Sequence, residues 1–503
     1  MFIDLDYTKE VPKPKLFLAK PNGNIISPIN DIEPELKIFL NTPDEISFKL
    51  PLFIEEEANS SINNFPKLIK NPLIEQIKDR YLILVKFMKK TQWFIIMQIK
   101  PNSSSAENDN VEVKGFSLEY ELKDKKINFG TESSTVRQIL NGNYLDKIPH
   151  GVLNNTKWSV GYIDPYYEDV YREFSYTGDK LQLLQSLTEK FDAIIKYNTE
   201  DRIIDIYYKY NFGKNSNIVF DYRKYLKSVS KDQDADSSVM CTRLQCFGKD
   251  NMSIENVNPT GKNYIDDFSY FMHPFTIENG IVTKHSDYGM SDNLCIAITK
   301  YKAKIMQYRD TFKELIMTKN TYNKLMLYKE KELRDLKHEL EVFKDKYSVA
   351  MMSGNSIQPI ITIKKEIEQN IKNKDNEIKE YRNKLKEVED RIYDIRIDLE
   401  EENNFTNTEL DELDNYIIED KWEAPDYIDD EDLYRDGKKK LKEKSKPKVI
   451  LTIDYVDFLK CIDEQNMWEH LNVGDKIGVQ YPLLNIDEKI QYGENTFVVE
   501  DEV

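Results

Sequence analysis

The stretch Leu294-Cys-Ile-Ala-Ile298-Thr-Lys-Tyr301-Lys-Ala-Lys-Ile305-Met-Gln-Tyr308-Arg-Asp-Thr-Phe312-Lys-Glu-Leu315 places apolar residues alternately four and three positions apart. The spacing continues through Lys319, Tyr322, Met326, Lys329, Leu333, Leu336, Leu340, Phe343 and Tyr347, with two lysines as interruptions. A 4-3 repeat keeps one apolar stripe against a neighbouring helix and so predicts a coiled coil. After Ala350-Met-Met-Ser-Gly-Asn-Ser-Ile-Gln-Pro359 the pattern restarts at Ile360 and runs through Ile363, Ile367, Ile371, Lys374, Ile378, Tyr381, Leu385, Val388, Ile392, Ile395 and Leu399. A break this short, carrying Gly354 and Pro359, predicts two helices folded back antiparallel. At about 1.5 Å per residue the first arm is on the order of 80 Å long, so it projects from a body or lies along a partner. Its outer charges read most simply as a solvated face and otherwise as a docking surface for another chain. Tyr on the seam reads as core filling.

On the N-terminal side of this arm the sequence reads as β. Short apolar runs are split by turn residues, as in Leu16-Phe-Leu-Ala, Pro21-Asn-Gly-Asn, Leu36-Lys-Ile-Phe-Leu and Asn41-Thr-Pro-Asp. Glu45-Ile-Ser-Phe-Lys-Leu-Pro51 alternates polar and apolar, as a strand with one wet face must. Further strands are expected at Tyr81–Phe87, Trp93–Ile99 and Val111–Leu122, a spacing that suggests a small barrel or sandwich. A helix is expected between Thr131 and Gly142 with Ser133 or Ser134 as N-cap, and another over 179–191, where Leu181, Leu184, Leu187 and Phe191 share a face. Strands over 158–164, 193–197 and 202–210 complete an α+β segment.

Beyond the arm, the acidic run Asp429-Asp-Glu-Asp432 leads into the Lys-rich helix of 436–447, and strands are expected over 449–458, 471–480 and 496–500. The fold class is thus α+β, multi-domain and β-rich, with an inserted antiparallel coiled-coil hairpin. The expected boundaries are 1–130 for a β-rich domain, 131–291 for the α+β domain, 292–402 for the hairpin, and 403–503 for a linker helix with a small β domain.

The chain has 503 residues, 89 Asp+Glu against 71 Lys+Arg, and a formal charge of -18. An acidic balance argues against a protein that grips nucleic acid or an anionic membrane through clustered Lys/Arg, although a local basic groove is compatible with it. No apolar run approaches the ~18 residues that span a bilayer, and the start lacks the basic and apolar regions of a signal peptide. A soluble chain made without a secretory signal is expected.

Tests for chemistry fail one after another. Cys241 and Cys246 are five apart while Cys295 and Cys461 are isolated, so neither zinc spacing nor a disulfide framework is present and buried thiols are expected. His150, His273, His285, His338 and His470 are scattered, and no H-E-x-x-H or G-x-S-x-G occurs. Asn258-Pro-Thr-Gly-Lys-Asn263 resembles a phosphate loop only briefly, because Asn256 and Asn263 stand where a glycine and a Ser/Thr are required. It reads as a turn. Asp429–Asp432 reads as a solvated helix cap, and Lys438-Lys-Lys440 as cations facing that acidic run. Sequence reading therefore assigns no catalytic residue, no metal ligand and no cofactor.

One set of residues carries a family resemblance. It consists of Trp158-Ser-Val-Gly-Tyr-Ile-Asp164, Arg172-Glu-Phe174, the 181–191 helix, the 202–207 strand, Tyr222-Arg-Lys-Tyr-Leu-Lys227, Thr242-Arg-Leu-Gln-Cys-Phe-Gly248 and the 258–270 stretch. In order and spacing it resembles the hub portion of the phage tail-associated proteins, the prophage endopeptidase tail family of Gram-positive siphophages and prophages. Glu45–Pro51, Trp93-Phe-Ile-Ile96 and Leu118-Glu-Tyr-Glu-Leu122 fit it too, as do the 433–447 segment and Val473-Gly-Asp475. The hairpin would be an insertion carried by some members.

The resemblance implies a virion structural protein at the tail tip or baseplate, made in the host cytoplasm and similar to the contractile-tail baseplate hub. As a homotrimer it would close the distal end of the tail tube beneath a ring of distal tail protein. It would open for the tape measure protein and DNA, the DNA only in transit, as infection proceeds at the host cell envelope. The hairpin would meet receptor-binding or other baseplate proteins. Many members continue into a peptidase or lysin; here the sequence runs to Val503 directly after the last β segment, so a hub that is not an enzyme is expected. The alternatives are a tail-associated hydrolase of peptidoglycan or teichoic acid using Asp429 and Glu431, and a scaffold of the SMC type, which the failed phosphate loop counts against.

Overall fold

The computed structural model describes residues 13–30, 32–55, 68–87, 89–103, 109–142, 151–236, 238–278, 280–353, 358–455, 471–484, 486–491 and 494–498. His150, His470, Cys461, Gly354 and Val503 lie outside them. Two compact units form, residues 1–232 with 450–503, and residues 233–449.

The first unit is built on an eight-stranded antiparallel sheet. Its strand order is Ile25–Ile29, Lys15–Ala19, Leu82–Phe87, Lys90–Asn102, Asn110–Ser117, Glu45–Pro51, Glu35–Phe39 and Glu494–Val498. The alternation in Glu45–Pro51 is realised as expected, with Ile46, Phe48 and Leu50 buried. The expected strand beyond Ser117 gives way to a 3-10 turn, Leu118–Asp124, which sends Leu118 and Leu122 into a second core.

That second core holds Leu82 and Ile95 of the sheet together with the α+β segment. Helix α1, Lys180–Lys190, is capped by Asp179, whose carboxylate accepts from the Gln182 N–H at 2.9 Å. It buries Leu181, Leu184 and Leu187 against the strands Ala193–Asn198 and Arg172–Asp179, each leucine contributing about 1.5–3 kcal/mol. The helix expected from Ser133 or Ser134 begins instead after Thr135. Residues 126–134 are drawn into a strand paired with Arg172–Asp179, and Thr135 forms a reciprocal capping box with Gln138. Lys476–Tyr481 pairs with Asn215–Asp221 and with Ile486–Gln491.

The second unit contains the hairpin. Helix α2, Asp292–Ser353, has 62 residues, roughly 90 Å of helix, and α3, Gln358–Asp398, has 41. The helices run antiparallel, with Phe312, Leu315, Ile316, Val388, Ile392 and Ile395 buried between them. The lysines that interrupt the apolar stripe carry cross-helix ion pairs. Lys319 meets Glu389 at 3.1 Å, Lys329 meets Glu377 at 3.1 Å and Lys374 meets Glu332 at 2.9 Å. Polar groups at seam positions fix register, because a slipped alignment would leave them unpaired.

The first turns of α2 are rooted in a core of Phe268, Met290, Leu294, Cys295, Ile298, Phe405 and Leu413. Beside it the strand Arg243–Phe247 lies between Tyr264–Asp266 and Glu419–Glu423. Helix α4, Asp430–Lys444, packs on this sheet through Gly437, where a Cβ would stand 2.8 Å from Cys246 Sγ.

Candidate functional site

A connected polar network of the second unit gathers at the foot of the hairpin. Arg243 grips Asp266 with two parallel bonds of 2.8 Å, and Glu401 stands 3.6 Å from the same guanidinium. The guanidinium carbon lies 4.0 Å from the Tyr264 ring centroid, and Tyr264 Oη donates to Glu401 at 3.0 Å. Burial opposes the Arg243 charge, but the Asp266 bonds outweigh it and raise the arginine pKa. Bidentate geometry of this kind is specific to arginine.

The helices are fastened to the same region. Lys302 reaches Asp267 at 2.9 Å, Lys304 reaches Asp398 at 2.9 Å, and Tyr308 Oη donates to Asp398 at 2.8 Å. Arg396 of α3 donates to the Glu255 carbonyl at 2.6 Å. These bonds fix where the two arms leave the body.

An apolar cavity of about 370 Å³ opens beside this network. Ile298, Tyr301, Ile305 and Met306 of α2 face Phe268, Tyr434 and Leu441 across it, with Lys262, Lys302, Lys438 and Lys442 also in its lining. Lys438 sits 3.9 Å from the Tyr434 ring centroid, and desolvation, then the nearby Arg309, lowers its pKa.

The loop Asn258–Asn263 is a turn, closed by the Gly261 N–H donating to the Asn258 carbonyl at 2.9 Å. Gly261 has φ +70° and its absent Cβ leaves room for Arg396. Asp429 caps α4 by accepting from the Asp432 N–H at 3.0 Å, and Asp432 is paired to Arg435 at 2.6 Å. Asp429 and Glu431, the residues of the hydrolase alternative, thus stand at a helix N-terminus. Of the lysines 438–440, Lys438 lies over Tyr434, Lys439 meets Asp436 at 3.3 Å, and Lys440 lies over the Trp422 ring at 4.6 Å. Their contacts are made along α4 and its sheet. Cys241, Cys246 and Cys295 are buried and burial pushes their thiols up, to about 11, about 12 and about 11. His285 is exposed and bonds Asp292 at 2.9 Å.

Sequence reading missed a second charged cluster, in the first unit. Asp44 accepts from the Phe39 N–H at 2.9 Å and from Gln92 at 2.6 Å, while its own N–H donates to Ser117 Oγ at 2.8 Å. Ser117 in turn donates to Glu119 at 2.5 Å. Glu119 Oε2 and Tyr197 Oη are buried without a hydrogen-bond partner among the described residues. Burial, reinforced by the Asp44 charge, raises the Glu119 carboxyl to about 8, and burial raises Asp44 to about 6. No spacing signal marks them: Glu119 follows an ordinary alternating strand and is buried only because the chain turns at Leu118.

Residues 18–114, all from the first unit, match the family model described as the YOMG N-terminal domain. The whole chain is similar to the SPbeta prophage-derived uncharacterized protein YomG of Bacillus subtilis strain 168, at 28% identity over 486 residues. That match takes in 96% of this chain and 53% of the relative, so the chain spans about half the length of the curated relative it matches. Among solved structures, the prophage tail protein gp18 of Listeria monocytogenes EGD-e aligns at a TM-score of 0.31 and 15% identity, over 47% of this chain and 62% of that one. The 43 kDa tail protein of prophage MuSo2 from Shewanella oneidensis aligns at 0.29 and 10%, over 46% and 62%.

Proposed function

We propose that the chain is a structural hub protein of a phage tail tip. The observation that carries this reading is the similarity, along 96% of the chain, to a prophage-derived protein. The tail-hub resemblance of the 158–270 motifs adds to it. In this reading three copies close the distal end of the tail tube beneath the distal tail protein and open for tape measure protein and DNA. The chain acts by assembly and not by turnover.

Two physical features suit the role. The sheet of the first unit ends in the strands Ile25–Ile29 and Glu494–Val498, whose outer edges a threefold ring can pair or cover. A charge of -18 per copy, tripled in a ring, repels phosphate and lets DNA pass without sticking. The rooted hairpin supplies an arm for neighbouring baseplate subunits.

The test is localisation on particles. An antibody against the chain is expected to label the tail tip of virions induced from a lysogen carrying its gene. Absence from particles contradicts the reading, and turnover of purified peptidoglycan or teichoic acid by the chain would replace it with the hydrolase. Tight, salt-sensitive DNA binding would contradict the sliding role of the charge.

A further inference from the structure

The cavity at the foot of the hairpin has two apolar walls. Ile298, Ile305 and Met306 of α2 form one, and Phe268 with Tyr434 and Leu441 of α4 the other. Its volume of about 370 Å³ lies within the roughly 300–1,000 Å³ of ordinary small-molecule sites, which are apolar with a few placed polar groups. Four lysines, Lys262, Lys302, Lys438 and Lys442, and three carboxylates, Asp266, Asp267 and Glu401, also line it.

These charges are not paired off evenly. Arg243 holds Asp266 at 2.8 Å and Glu401 at 3.6 Å, and Lys302 holds Asp267 at 2.9 Å. Every carboxylate of the lining is therefore engaged, whereas Lys262, Lys438 and Lys442 form no ion pair among the described residues. Lys438 and Lys442 stand one turn apart on α4, and Lys262 comes from the 258–263 turn. The Lys438 ammonium lies 3.9 Å from the Tyr434 ring centroid, and desolvation, then the nearby Arg309, disfavours its charge. Arg309 is itself bonded to Asp310 at 2.9 Å. An arriving anion relieves a cation in this position.

We propose that the cavity binds an anionic single-chain amphiphile, a fatty acid or an alkyl phosphate, with its chain between the two apolar walls and its head group at the unpaired lysines. The class follows from the lining. A cationic amphiphile would bring a like charge to the lysines, a neutral one would leave them unanswered, and a small anion would leave the apolar walls unfilled. Because α2 supplies one wall and α4 most of the other, an occupied cavity ties the root of the arm to the sheet beneath α4. Binding is expected whether or not the chain is a tail hub, so a failure here leaves that reading untouched.

The experiment is isothermal titration calorimetry of the purified full chain with decanoate and with decyl phosphate, each below its micelle concentration. Decyltrimethylammonium, decyl maltoside and hexanoate are the comparison probes. Saturable binding of both ten-carbon anions is expected, with each comparison probe weaker by about tenfold or more. Lys438→Glu, and separately Met306→Trp, which sets a large ring in the cavity wall, should each weaken decanoate by about tenfold or more. Lys313→Glu, an exposed lysine of α2 outside the lining, should bind like the parent. All three side chains are exposed, so far-UV circular dichroism should match the parent. Hydrogen exchange of the parent chain, which needs no variant, should slow with decanoate at residues 298–306 and 434–442. Tighter binding of decyl phosphate than of decanoate would support a phospholipid-like head group, and the reverse order a fatty acid. No binding of either anion, equal binding of the cationic or neutral probe, protection away from those two segments, or a Lys438→Glu chain that binds like the parent would each overturn the proposal.

Discussion

The hairpin and the sheet both bring charged groups against packed apolar surface, and they do so in opposite ways. In the seam each lysine is met by a glutamate of the other helix, and every partner keeps part of its side chain exposed. Beneath the sheet Glu119 is fully enclosed, is bonded by a neutral serine, and has its carboxyl raised to about 8, so it is held protonated at neutral pH. Pairing with partial exposure preserves charge, whereas enclosure without a cation removes it.

The largest effect is expected where an enclosed charge does have its partner. Arg243→Ala strands Asp266 and should destabilise the second unit by about 3–5 kcal/mol in urea unfolding, with Arg243→Lys recovering only part. A loss below about 1 kcal/mol would mean that water replaces the guanidinium freely.

Next comes the pH response of the sheet. The folded pKa values of Glu119 and Asp44, about 8 and about 6, lie above their ordinary 4.5 and 3.8, so the folded state holds more protons across that interval. The contribution of Glu119 and Asp44 to the stability of the first unit is full below about pH 4 and is lost as pH rises toward about 8, a few kcal/mol in all. Glu119→Gln should flatten most of the slope. Hydrogen exchange of residues 82–117, followed against pH, reads it.

The hairpin should answer in the other direction and more weakly. Hydrogen bonds from Lys304, then Tyr308, hold Asp398 below the usual carboxylate range, and Lys374, then Lys329, do the same for Glu377. Such groups stabilise the fold above their unfolded pKa and lose that contribution as pH falls through the folded value. Exchange in residues 304–347 should therefore quicken on acidification below pH 4, while residues 82–117 stay protected. Parallel pH responses in the two segments would break the contrast.

The smallest change is expected from Lys319→Leu with Glu389→Leu. Replacing an ion pair by apolar seam residues is often neutral or stabilising, so the thermal midpoint should hold or rise by a few degrees. The loss should appear as a second register in disulfide trapping across the arms. A midpoint that falls sharply would show that the pair contributes stability and not only alignment.

These contrasts mark what was legible in the sequence. The hairpin was legible because its contacts are written as local periodicity, and the strand Glu45–Pro51 because burial alternates along it. The cap at Thr135 was not, since Ser133 and Ser134 are equally good caps until pairing with Arg172–Asp179 claims them for a strand. Nor was the pairing of Glu494–Val498 with Glu35–Phe39, which joins segments more than 400 residues apart and leaves no spacing signal. At the hairpin foot the arginine, tyrosine and carboxylates come from Arg243, Tyr264, Asp266 and Glu401, too scattered to read as a cluster. The seam lysines looked like interruptions until glutamates of the other helix supplied their purpose.

The threefold hub at the centre of this account is tested most directly by the native mass of the purified chain. Mass photometry or native mass spectrometry near three times 59.4 kDa is the predicted result, with Ile25→Asp on the outer strand shifting it toward one copy. A chain that stays at 59.4 kDa at every concentration tried, and in the presence of its distal tail protein, would contradict it.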